Sequence, residues 1–226
     1  MKLTHILIAV TCFSSFIGWQ HSQVQLWTTG PLHASEVIGK TGEMWFGLFG
    51  DSLTLELRES RVTVTDSHTV GGLYDRFVTV DQPGSPLFLL RGLTGLSNRP
   101  VLTVLSIPTF IHPGESKGVK FDESMYYSFT AFGEAVDETV DVVINNYAIR
   151  LRQGRRSQVI ASFDRIGSDK HPVILWAGDL DGDGKLDLLM DTATHYNLIE
   201  STLFLSSAAM SGNLVGQVAS FKRGGC

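Results

Sequence analysis

The sequence predicts an all-β fold, an antiparallel β-sandwich-like domain or pair of domains, and three observations carry that expectation. Most segments alternate apolar and polar residues with period two and are rich in Val, Ile, Thr, Phe and Tyr, the pattern of strands with one face in a core. Turn signals recur between them: Gly71-Gly72, Gln82-Pro83-Gly84, Asn98-Arg99-Pro100, His112-Pro113-Gly114 and Gln153-Gly154-Arg155. No long amphipathic helix pattern is present, and the best short candidates are Glu134–Val140 and Leu198–Thr202.

In chain order, the first segment is a leader. Lys2 precedes an apolar run over 3–18, polar His21-Ser22-Gln23 follows, and no charged residue intervenes before Glu36. That is the layout of a secretory signal peptide, assigned to residues 1–22, and it predicts a periplasmic or extracellular protein. With His5, Ser14 and Ser15 inside it, the run falls short of the roughly 20 apolar residues of a membrane span. Cleavage would remove Cys12 and leave Cys226 alone, so the mature chain could hold no internal disulfide and would rest on its core and on what it binds.

Residues 23–226 form the expected all-β region. Leu53–Arg58 and Arg61–Thr65 are the clearest strand pair. Further strands are expected at 77–80, 87–90, 101–107, 126–131, 140–144, 148–151, 159–163, 173–176, 186–190, 201–205 and 217–221, roughly twelve to fourteen in all at short spacing. The hairpin Tyr147–Arg152, Gln153-Gly154-Arg155, Ser157–Ala161 is the best defined by its turn. The polar stretch Phe110–Glu123 reads either as a linker that splits the region in two or as a long loop of one domain.

Composition narrows the function classes. With 226 residues, 43% hydrophobic and 18% charged, the chain is globular, and it is too short for a seven-bladed propeller. A net charge of −5 and no basic run longer than Arg155-Arg156 leave no electrostatic footprint for nucleic acid.

One motif carries specific chemistry. Asp179-Leu180-Asp181-Gly182-Asp183-Gly184-Lys185-Leu186-Asp187 places side-chain oxygens at positions 1, 3, 5 and 9 and glycine at position 6. Ca²⁺ takes six to eight hard oxygens in a flexible shell, so Asp179, Asp181, Asp183 and Asp187 are expected to supply carboxylates and Lys185 its carbonyl. Four carboxylates within nine residues repel one another unless a cation is present. Position 12 is Met190 rather than the bidentate Glu of an EF-hand, and the flanks Val173–Trp176 and Leu186–Met190 are strand-like. The loop therefore resembles the FG-GAP/VCBS-type calcium loops, Asp-x-Asp-x-Asp-Gly-x-x-Asp between two strands, of integrin-like propellers and secreted bacterial proteins. The resemblance covers about residues 173–191 and occurs once, so it implies a calcium-bound β-hairpin and not a propeller. The stretch from Leu175 to Ser207 is also similar to uncharacterised secreted bacterial proteins, which implies a lineage and no activity.

A competing motif is Gly50-Asp51-Ser52-Leu53, which resembles the first block of GDSL-type (SGNH) esterases. That resemblance implies Ser52 as nucleophile and His171 as base. It departs from the family at Ser168, where an Asp belongs, and in the β-like alternation of Thr54–Thr65, where the family has a helix. His68, His112 and His195 have no zinc-type spacing, and His195 is a candidate neighbour of the calcium loop. The expectation is an exported, non-catalytic calcium-binding β-domain that engages a protein or, second, a carbohydrate. An inhibitor or immunity factor of the periplasm is its concrete form, and a secreted esterase the alternative.

Overall fold

Fifteen strands and one 3₁₀ turn make up the described part of the computed structural model, which covers residues 24–51, 53–67, 75–137, 142–167 and 170–224. In order they are β1 (Gln25–Trp27), β2 (Gly30–Leu32), the 3₁₀ turn (Ala34–Glu36), β3 (Met44–Asp51), β4 (Thr54–Asp66), β5 (Arg76–Val80), β6 (Leu89–Arg91) and β7 (Arg99–Leu105). They continue with β8 (Ser116–Lys120), β9 (Tyr126–Asp137), β10 (Val142–Gln153), β11 (Arg156–Ile166), β12 (Val173–Gly178), β13 (Asp187–Asp191), β14 (Leu198–Leu205) and β15 (Gly216–Gly224). The leader, Cys12, Ser52, His68 and Cys226 lie outside the described residues.

All pairings are antiparallel and fall into two sheets. The larger runs β1-β6-β3-β4-β7-β12-β13-β14-β15, with β5 on the far half of β4 and β2 on β5. This sheet curls until β1 lies against β15, which makes a nearly closed barrel and not a propeller. Among the described residues no ladder joins the two edges. Glu36 spans them instead: its Oε1 accepts the Gly224 N–H at 2.6 Å, its Oε2 accepts the His33 N–H at 2.9 Å, and its carbonyl accepts the Trp27 indole N–H at 3.2 Å. The smaller sheet, β11-β10-β9-β8, packs on the outside of the barrel wall.

Two apolar cores result. One fills the barrel, with Trp27, Trp45, Leu57, Trp176, Leu189 and Leu203 among its members, and Trp27 and Trp45 have ring centroids 5.3 Å apart. The other lies between the sheets, with Phe129, Tyr147, Ile149, Leu151, Leu188 and Met190. Burying both faces of a strand requires apolar residues at successive positions. β13 has them: Leu188 and Met190 face the second sheet while Leu189 faces the barrel, and all five of its residues are buried. The segment Phe110–Glu123 carries β8, and its Ile111, Val119 and Phe121 belong to the inter-sheet core.

Several sequence expectations are corrected in detail. Glu134–Asp137 of the first helix candidate ends β9, and Leu198–Thr202 opens β14. The expected pair 53–58 and 61–65 is a single strand, β4, because Glu59 and Ser60 are held across β3 by Phe46 and Trp45. That strand serves β3 and β7 with its first residues and β5 with its last. Segments 142–144 and 148–151 likewise join as β10, where Asn145-Asn146 forms a bulge with Asn146 at φ 51°.

Candidate metal centre

The acidic loop connects β12 to β13, so its flanks are strands, as the residue pattern predicts. Asp179 fixes the turn by accepting the Gly182 N–H on Oδ1 at 2.8 Å and the Gly184 N–H on Oδ2 at 3.0 Å. Gly182 and Gly184 take φ of 81° and 76°, a left-handed backbone that favours glycine, which explains their place in the motif. Arg99 of β7 donates to the Leu180 carbonyl at 2.6 Å and anchors the loop to the barrel end.

Of the expected ligands, the fold brings three together: one carboxylate oxygen from each of Asp179, Asp181 and Asp187 lies within 4.8 Å of the others. This group can hold a metal ion. Asp183 turns elsewhere, accepting from Ser206 Oγ at 2.8 Å and from Lys185 Nζ at 3.2 Å. Lys185 donates its backbone N–H to Asp183 Oδ1 at 2.9 Å. Ser206 and Ser207, at the end of β14, are partners that sequence spacing could not reveal: Ser206 N–H donates to Asp187 Oδ1 at 2.7 Å, and Ser207 Oγ donates to Asp181 Oδ2.

Asp187 is the unusual member. It is 0% exposed, and its Oδ2 also accepts the Leu180 N–H at 2.7 Å. Burial, with Asp181 and Asp183 nearby, pushes its pKa up to about 7, while the Ser206 and Leu180 N–H groups pull it down. Asp191, at the other end of β13, is also buried, but Lys170 Nζ pairs with it at 2.5 Å. Among the described residues no Lys, Arg or His is ion-paired with Asp179, Asp181 or Asp187. Two buried carboxylates thus share one strand, and among the described residues only Asp191 has a cationic partner.

The loop is tied to the second sheet through Tyr127, whose phenol meets the Leu186 backbone and accepts from Gln153 Nε2 at 3.1 Å. His195 is not a neighbour of the loop. It sits in the β13–β14 turn at the opposite end of β13, stacked on Tyr196 at 4.7 Å, and its Nδ1 accepts the Asn197 N–H. His171 stacks on Phe110 at 4.4 Å, and Phe110 in turn stacks on Tyr147. The residues after Ser52 continue as β4, not as the helix that an esterase of the GDSL type places there. No family model matches the chain, and no curated protein or solved structure was found to be similar to it.

Proposed function

We propose that this chain is an exported, non-catalytic binding protein whose β12–β13 connection is held by a calcium ion. The observation that carries the metal part is Asp187, a buried carboxylate that has no ion-pair partner among the described residues, has Asp181 and Asp183 nearby, and converges with Asp179 and Asp181. Asp179, Asp181 and Asp187 would hold the ion, and a divalent cation there offsets the repulsion and the cost of burial together. Ca²⁺ is preferred because the donors are hard oxygens on a loop of the FG-GAP/VCBS type, which tolerates irregular geometry better than Mg²⁺ does.

The ion acts as a staple on the fold. With the affinity usual for extracellular modules, millimolar Ca²⁺ stabilises by about 1 kcal/mol. That corresponds to a rise of about 2–4 °C in melting temperature for a chain of this size. The test is a calcium titration of the purified chain followed by melting and tryptophan fluorescence, with Asp181→Asn as control. Saturable stabilisation that the variant lacks supports the reading, and an indifferent wild type removes it. Ester hydrolysis that disappears in Ser52→Ala would overturn the non-catalytic part.

A further inference from the structure

The outer face of the smaller sheet is built differently from the rest of the surface. In a chain of net charge −5, β10 presents Arg150 and Arg152 on this face, with Arg155 in the adjoining turn, and none of the three is ion-paired among the described residues. Arg150 lies over the Phe132 ring at 4.7 Å and Arg152 donates to the Gly154 carbonyl at 2.9 Å, whereas Arg156 turns away from this face and donates to the Asn213 carbonyl of the β14–β15 connection. Stacking and a backbone contact hold the Arg150 and Arg152 guanidinium groups in place without neutralising them. The acids of the β8–β9 turn are engaged: Asp122 accepts the Ser124 and Met125 N–H groups, and Glu123 pairs with Lys120.

Beside the arginines lies an aromatic ring. Tyr126 is 60% exposed, and its phenol lies across β8 directly over Gly118, where a Cβ would collide with it. One face of the ring therefore rests on the sheet and the other is open. Between Tyr126 and Arg152 runs an open groove of about 560 Å³, with Ser124, Ser128 and Gln153 among its lining residues. Register places Ser128 opposite Arg152 and Thr130 opposite Arg150, so the floor of this face is hydroxyl-bearing.

We propose that this face binds an acidic glycan, a chain of uronate sugars. The proposal rests on the reading of the chain as a binding protein and names its partner. Each element has a matching group on such a ligand: the open Tyr126 face takes the C–H face of a pyranose, and the Ser and Thr hydroxyls exchange hydrogen bonds with sugar hydroxyls. Arg150 and Arg152 take the carboxylates, for which the guanidinium fork is shaped. A run of acidic residues in a peptide would supply carboxylates to the arginines but no flat C–H face for the Tyr126 ring.

The experiment is calorimetric titration of the full chain with trigalacturonate, against maltotriose as the neutral control and hexaglutamate as the acidic peptide. The expected result is saturable, salt-sensitive binding of trigalacturonate and none of maltotriose. Tyr126→Ala and Arg150→Gln/Arg152→Gln should each weaken it about tenfold. Absence of trigalacturonate binding overturns the proposal, as does equal binding of hexaglutamate with Tyr126→Ala indifferent, which would mark a protein-facing patch. The calcium response, read on the same samples, is a separate result: its persistence beside failed glycan binding leaves the metal reading standing.

Discussion

Asp187 makes the metal-free protein sensitive to pH in a direction opposite to that of most carboxylates. Its pKa rises from 3.8 to about 7 on folding, so between these values the folded chain holds a proton that the unfolded chain has lost. Stability contributed by this group is therefore full below about pH 4, declines as pH rises, and is flat above about pH 7. The shift corresponds to about 4 kcal/mol over the whole window, of which about 2 kcal/mol falls between pH 5.5 and 7. For a chain of this length that is a decrease of about 4–8 °C in melting temperature. A Ca²⁺ ion bound as proposed would replace the proton, so calcium stabilisation would grow with pH over the same interval and then level off. The assay is melting temperature against pH, in chelator and in millimolar Ca²⁺, for wild type and Asp187→Asn. The variant loses one acceptor to the Ser206 or Leu180 N–H at every pH, a constant cost, and subtracting it removes the titration of the other carboxylates and histidines. If the metal-free difference between the two proteins does not change from pH 5.5 to 8, the uptake of a proton by Asp187 is refuted.

Three further outcomes follow from the packing. Leu188→Ala and Leu189→Ala, adjacent on β13 but in different cores, should each cost about 2–5 kcal/mol in urea unfolding, whereas a strand buried on one face would show one large and one small effect. Tyr147→Phe leaves the buried Ile111 carbonyl without its 2.8 Å partner and should cost about 1–2 kcal/mol, while Tyr126→Phe on the exposed face should be neutral in the same measurement. Glu36→Ala removes the acceptor of the Gly224 N–H, with an expected loss of about 1–2 kcal/mol and faster amide exchange at the end of β15; unchanged exchange there would show that the seam is held by something else.

The strands legible in the sequence were those with period-two alternation, such as β5, β7, β9 and β15, and the apolar or β-branched runs that became β12, β13 and β14. Short or atypical strands were not legible. β1, β2 and β8 are three to five residues long, and β3 reads Met-Trp-Phe-Gly-Leu-Phe-Gly-Asp, where the glycines break the alternation. Asn145-Asn146 and Glu59-Ser60 look like turns because their composition is that of turns; tertiary pairing turned the first into a bulge and the second into plain strand. At the candidate metal centre the Asp spacing predicted four carboxylates and the Lys185 carbonyl, and the structure brings three of those carboxylates together. The partners Ser206 and Ser207 come from a strand end nineteen or more residues away, a proximity that only the β13–β14 pairing creates.

The seam between β1 and β15 sets an order in time. Glu36 and Gly224 are 188 residues apart, whereas the β3-β4, β9-β10-β11 and β12-to-β15 ladders join segments close in sequence. Loops that long close slowly and late, after the local hairpins have formed. The barrel is thus an open ribbon for most of its assembly and becomes a tube only when the final strand arrives. A chain stopped before residue 216 would not make a smaller tube; it would expose the edges of β1 and β14 side by side, a template on which further copies can pair.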